Sequence, residues 1–452
     1  MLNRITTAAL AFAVALTAST PAAAEVPSYT RTTIDANLTG AAFVIGGNVV
    51  DNGYPEIVAS TFGQLTIGPQ GPTFPPAGKV VVYRSKRNIY GQITGWERAD
   101  IVGLSDGIKM PNRPTIADIN RDGRPDVIVP GGYFFDTFIG NALGSLTWWE
   151  NKGFGNRWVR HDIVTGSRFS YHSAVYADID GNGTRDIVSV GEQAGDPQTP
   201  ADDIVELHLF KGNTNGTFQP AIKLADGGGG LIEAYDVNRD GRMDIVSPQF
   251  FGPVAGQPMV PAAARDASVA SFVWFENKGN GVFARHAIGT NQGTGFAIVP
   301  VTGLRGDNVV RWVATNHTNR NITFPPYALY PEPAVYEFTP GADPRQPWAV
   351  RQLSAPGSFP VTGGVGQAAP GAAAAAHLNA DGRLDIAVSG DGSRAVYWLE
   401  QRADGTFATH QLPNSTGYGQ SGGPVVMDLN LDFRKEIVFG SFDQNAISIW
   451  KR

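Results

Sequence analysis

Short apolar runs alternate along this chain with polar, glycine-rich breaks, and the alternation repeats. The run "DVIVP" closes "DINRDGRPDVIVP" at 118–130, "DIVSV" closes "DIDGNGTRDIVSV" at 178–190, and "DIVSP" closes "DVNRDGRMDIVSP" at 236–248. Apolar runs of this length, rich in Val and Ile and bounded by Asn, Asp and Gly, predict buried β-strands. A second pattern lies beyond the loops: "LTWWENKGFGNRWVRHDI" at 146–163 matches "FVWFENKGNGVFARHAI" at 272–288. Looser copies are "LHLFKGNTNGTFQPAIKL" at 207–224 and "VYWLEQRADGTFATHQL" at 396–412. Strand, Asn/Gly turn and strand predict a hairpin. Helical periodicity is absent after residue 24, so the unit is two strands joined by an acidic loop, followed by a hairpin.

Counting units turns this pattern into an architecture. "HLNADGRLDIAVSG" from His377 keeps Asn379, Asp381, Gly382 and Asp385. "DLNLDFRKEIVFG" from Asp428 has Phe433 in place of the glycine and Glu436 as its last acid. Degenerate copies start at Asn48 ("NVVDNGYPEIVAS") and Leu304 ("LRGDNVVRWVATN"), which makes seven units across 25–452, about 61 residues each. The chain ends on "ISIWKR", a third strand, while "SYTRTTID" at 28–35 resembles the fourth strands. The expected fold is all-β: a seven-bladed β-propeller with four-stranded blades, its ring closed when the N-terminal strand completes the last blade.

Composition narrows the function classes. With 35 basic and 41 acidic residues the formal charge is −6, which leaves no basic footprint for nucleic acid. The opening "MLNRITTAALAFAVALTASTPAAAEV" has Arg4, an apolar run and a small-residue site ending at Ala24. It reads as a signal peptide, 1–24, so the protein is expected to be exported, periplasmic or extracellular, with no transmembrane segment in the mature chain. No cysteine is present; loop rigidity must come from something other than disulfides.

Metal is the natural source. Asp118, Asn120, Asp122 and Asp126 occupy loop positions 1, 3, 5 and 9 around Gly123 at position 6, as do Asp178, Asp180, Asn182 and Asp186, and Asp236, Asn238, Asp240 and Asp244. Hard oxygens at this spacing suit calcium, with a backbone carbonyl from position 7 (Arg124, Thr184 or Arg242) as a further ligand. Asn379, Asp381 and Asp385 form a reduced version, weakened by His377 at position 1. These are not EF-hands: position 12 is Val129, Ser189 or Ser247 rather than Glu, and the flanks are strands. The aspartate loops resemble FG-GAP or VCBS repeats, the units of the propeller in integrin α-subunit heads and in many exported bacterial proteins. The resemblance implies a propeller with calcium in some blades and says little about the ligand.

Strand parity places the acidic loops on one face and the long, varied loops on the other, where binding residues are sought. Candidates on that ligand face are Tyr133, Phe134, Phe135, Phe250, Phe251, His317, Phe324, Tyr327 and Tyr330, as sugar-stacking rings or as loop packing. Glu233 replaces the Thr115, Val175, Ala374 or Val425 of other units on an innermost strand, and Arg113, Arg168, Tyr171 and His172 approach the same mouth. Glu233, His172 and Arg113 are candidate catalytic residues for proton abstraction beside a carboxylate; a channel ion pair is the plainer reading. His161, His286 and His410 recur at equivalent places, which points to a repeat role, and "RGD" at 305–307 occurs once. The expected function is a calcium-stabilised binding or scaffold module for a carbohydrate or surface protein, monomeric. A sugar-active lyase or dehydratase is the alternative, supported by fold analogy alone.

Overall fold

The computed structural model describes residues 28–452 apart from 51–52, 65, 69–70, 134–141, 154–156, 194–203, 251–270, 291, 317–331, 361–368, 392 and 394. The chain forms seven four-stranded antiparallel sheets arranged as blades. Blade one runs over 41–102, two over 115–167, three over 170–226, four over 233–289, five over 295–352, six over 369–411, and seven over 421–451. A small hairpin, Thr66–Gly68 with Gly71–Thr73, decorates blade one. The 3-10 turn Leu104–Asp106 is the one helical element among the described residues, none of which forms a helix long and apolar enough to cross a membrane.

Blade seven takes its fourth strand from the other end of the chain. Thr30–Asp35 pairs antiparallel with Ala446–Lys451, Thr30 opposite Lys451 and Arg31 opposite Trp450. Arg31 reinforces the seam by donating to Asn414 O at 2.7 Å and Gln444 Oε1 at 2.8 Å. This is the closure that the terminal "ISIWKR" predicted, and it gives blade seven the same four strands as the other six.

The second strand of each blade is buried on both sides, as its continuous apolar run requires: Glu56–Thr61, Asp126–Gly131 and Glu436–Ser441 are buried throughout. Core side chains fill the wedges between neighbouring blades. Ile128 and Trp148 of blade two pack on Tyr171, Ile187 and Phe210 of blade three, and Trp274 of blade four packs with Trp312 and Phe338 of blade five. Stacked wedges of this kind hold the loops of each face at fixed spacing.

Candidate functional site

The acidic loops share one frame. Asp118 accepts the amides of Asp122 (3.1 Å) and Gly123 (3.0 Å), and Asp178 accepts those of Asn182 (3.1 Å) and Gly183 (2.9 Å). The position-9 acid is fully buried and clamps the loop to its blade. Asp126 accepts Ile119 N at 2.9 Å and Asn151 N at 2.8 Å; Asp186 accepts Ile179 N at 3.1 Å and Gly212 N at 2.9 Å. Asp244, Asp385, Glu436 and Glu56 repeat the amide bond in their own units. Burial pushes the Asp126, Asp244 and Asp385 carboxyls up to about 6, against the opposing pull of the backbone amides.

What differs among the loops is the nearest cation. In blades two, four and six the position-7 side chains Arg124, Arg242 and Arg383 lie on the position-5 carboxylates Asp122, Asp240 and Asp381. Their Nε atoms donate to Asn151 O (2.8 Å), Asn277 O (2.7 Å) and Gln401 O (2.8 Å), so each guanidinium is anchored twice. The position-3 asparagines Asn120 and Asn238 donate to Glu150 (2.9 Å) and Glu276 (3.0 Å). These glutamates, with Glu400, accept contacts from His161 (3.0 Å), His286 (2.9 Å) and His410 (2.9 Å), whose rings lie against Trp148, Trp274 and Trp398. Burial alone would raise Glu276, yet Arg345, Lys278 and His286 hold it at about 2. The three histidines thus belong to a repeated packing unit.

Blade three departs from this arrangement. Position 3 is Asp180, position 7 is Thr184, and Lys211 takes the place of Glu150. Carboxylate oxygens of Asp178, Asp180 and Asp186 converge within 4.8 Å of one another. Its cation is the Lys211 ammonium, 3.0 Å from Asp180, a point charge on a flexible stem without the arginine's second anchor. Of the described loops, this one best fits a divalent ion: three carboxylates, Asn182 and the Thr184 carbonyl are oxygen donors of the kind calcium takes. In the loop at 377–385, His377 Nδ1 bonds the Arg383 carbonyl of its own loop at 2.8 Å, occupying the position-7 acceptor.

On the opposite face, the structure separates the residues grouped there by sequence. Arg113, just before blade two, and Glu233 of blade four meet at 3.5 Å. Glu233 lies deep in the ring but faces the channel, so about a quarter of its side chain stays accessible; burial raises its pKa, with Arg113 opposing. His172 turns elsewhere: its Nδ1 contacts Glu192, a fully buried carboxylate that also accepts Gly230 N at 3.1 Å. Tyr171 is buried rather than at the mouth, its hydroxyl 3.4 Å from His208 Nδ1. Arg168 lies over the Phe169 ring. Glu192 escaped the sequence reading because its strand, Asp186–Gln193, runs on past the repeated segment; His208, on the third strand of the blade, gave no charge pattern to follow.

Half-exposed rings cover this mouth. Phe62 lies 5.8 Å from Phe74 and 6.5 Å from Phe442, and Phe74 lies 5.2 Å from Tyr133. Phe43 reaches Phe296 of blade five at 6.4 Å, and Phe296 reaches Phe250 at 5.5 Å. Tyr133 and Phe250 were among the sequence candidates, and Phe43, Phe62, Phe74, Phe296 and Phe442 were not; each stands alone in its segment, with no repeat to mark it. Phe134, Phe135, Phe251, His317, Phe324, Tyr327 and Tyr330 lie outside the described residues, as does the 1–24 segment. Of the "RGD" tripeptide, Arg305 is paired with Glu337 and Asp307 with Arg311.

Comparison with known proteins finds one repeat match. Residues 377–439 match the FG-GAP-like repeat, and no curated protein matches the chain. Similar solved structures include BBS1N in complex with ARL6DN, 12% identical over 94% of this chain and 97% of that one, TM-score 0.48. An alpha-L-arabinanase from Penicillium chrysogenum is 12% identical over 94% and 98%, TM-score 0.41. The rhamnogalacturonan lyase PL11 from Bacillus licheniformis is 12% identical over 93% and 72%, TM-score 0.43. Likenesses this distant carry no function across. The chain is thus a closed ring of seven four-stranded blades in which residues 377–439 match an FG-GAP-like repeat.

Proposed function

We propose that the protein is an exported, calcium-stabilised propeller that serves as a binding or scaffold module, engaging a carbohydrate or a surface protein with the face opposite its acidic loops. The observation that carries the reading is the band of half-exposed rings Phe62, Phe74, Tyr133, Phe296 and Phe442 across the channel mouth. Aromatic faces on a rigid frame suit sugar rings and apolar side chains alike. Calcium would bind first in blade three, held by Asp178, Asp180, Asn182 and Asp186 with the Thr184 carbonyl. It would be weaker at Asp118, Asp236 and their companions, where Arg124 and Arg242 already neutralise a carboxylate. The ion would supply rigidity to the loop; the ligand would be read by side chains of the other face.

The lyase or dehydratase alternative draws support from the Glu233 carboxyl, 3.5 Å from Arg113, whose pKa burial raises against the pull of that arginine. Against it, His172 is committed to Glu192 and does not join Glu233. Affinity electrophoresis against soluble acidic and neutral polysaccharides, read together with ultraviolet absorbance for unsaturated sugars, separates the two. The expected result is retardation without product, reduced by Phe74→Ala or Tyr133→Ala and unchanged by Glu233→Gln. Product that disappears in Glu233→Gln would replace binding by catalysis.

A further inference from the structure

Blade seven breaks the rule of its sister loops at one conspicuous place. Position 6 is Gly123, Gly183, Gly241 and Gly382 in blades two, three, four and six, with φ of 84°, 82°, 86° and 79°; in blade seven it is Phe433, with φ of 67°. Leu431, two residues before, also has a positive φ of 63°. Glycine is at ease in this left-handed region and phenylalanine is strained. A Cβ placed on any of the four sister glycines would meet nothing within 4 Å, so a side chain at this position projects into solvent. Phe433 does so, at 97% exposure. The fold neither requires the ring nor gains from it.

A second apolar tip stands beside it. The outer turn of blade one carries Ile89 and Tyr90, exposed by 91% and 80%. Arg87, at the base of that turn, donates to Leu429 O of the blade-seven loop at 2.5 Å and binds the two together across the ring seam. Among the described residues, Phe433, Ile89 and Tyr90 are the three most exposed large hydrophobics, and Leu431 at 50% joins them. Lys86, Arg434, Lys435 and Lys451 are exposed around the tips. The nearby carboxylates hold loop donors: half-buried Asp428 accepts Asp432 N and Phe433 N, exposed Asp432 accepts Arg434 N and Asn430 Nδ2, and buried Glu436 accepts Leu429 N.

Convex apolar tips ringed by cations match a flat surface that is anionic outside and apolar a few ångströms beneath. We propose that this seam docks the propeller on an anionic phospholipid membrane, with Ile89, Tyr90, Leu431 and Phe433 entering the headgroup layer and the four cations contacting lipid phosphates. A second copy of the chain fits less well, because a two-fold contact would set these cations against each other. The site is independent of the ligand face and of metal in blade three.

Flotation of the purified protein with vesicles tests the assignment. Phosphatidylcholine vesicles containing phosphatidylglycerol should carry the protein, and pure phosphatidylcholine should not. Phe433→Gly should weaken that binding about tenfold without lowering the melting temperature, because glycine is the residue of the sister loops. Arg434→Glu with Lys435→Glu should abolish it, and the emission of Phe433→Trp should shift to the blue only on the anionic vesicles. The proposal is overturned if phosphatidylglycerol vesicles do not carry the protein, or if Phe433→Gly and Ile89→Ser both leave flotation unchanged. It is equally overturned if Phe433→Gly dissolves a dimer in sedimentation while no vesicle binding is found.

Discussion

Blades two and three carry loops of the same length and frame, 118–126 and 178–186, and solve the same electrostatic problem differently. In both, the position-1 acid accepts two loop amides and the position-9 acid accepts two more. Blade two then places an anchored guanidinium on Asp122. Blade three gathers three carboxylates and sets beside them a lysine on a flexible stem. Loop shape and charge balance are therefore separable: backbone amides make the shape, and the residues at positions 3 and 7 and on the third strand decide which side-chain cation balances it.

The largest effect should come from breaking the frame that both loops depend on. Deleting residues 25–36 removes the strand that pairs with Ala446–Lys451, and both loops should be lost together as the ring opens and aggregates. A monodisperse deletion variant with unchanged melting would contradict the closure. Next, Asp126→Ala and Asp186→Ala should cost alike, about 3 kcal/mol each by chemical denaturation, because each strands two amides on the interior side of the loop. A large difference between them would show that the shared frame is not the common element.

Grafting sharpens the contrast. Thr184→Arg with Lys211→Glu gives blade three the charges of blade two and should weaken its calcium affinity about tenfold by titration calorimetry, with little change in stability without calcium. The smallest effect is the pH dependence that His208 adds to blade three, where it stands at the place of Thr147 in blade two. Burial lowers the His208 pKa from its ordinary 6.5, against the pull of Glu206. Its neutral form is thus favoured by folding, so the stability it contributes is present above pH 6.5 and is lost as pH falls through the folded-state value. His208→Gln should flatten this acid limb of the melting curve, and an equal limb in the variant would assign it to another group.

The parts of this molecule that repeat were legible as text. Aspartates at fixed spacing, the hairpins around Trp148 and Trp274, and the orphan third strand at Ile447–Trp450 each recur or fail to recur in a way that strand pairing explains. The candidate site was legible only where it follows the repeat. Position 7 was read for its carbonyl, and the reach of the Arg124 side chain back to Asp122 was invisible because spacing does not encode a side chain's path. Glu192 and the Phe43–Phe296 contact come from segments distant in sequence, brought together by ring curvature that no local pattern expresses. Phe433 was visible only as a missing glycine; its exposure required the coordinates.

The central claim is that one shared loop frame binds calcium where the internal cation is loosely held. Calorimetric melting with calcium and with chelator, on the native protein, Asp178→Ala and Asp118→Ala, addresses it most directly. With free ion about 100-fold above the dissociation constant, one site should add about 2.7 kcal/mol to the native protein. That increment should survive in Asp118→Ala and vanish in Asp178→Ala. A native protein indifferent to calcium, or an increment lost in Asp118→Ala and kept in Asp178→Ala, would contradict the account.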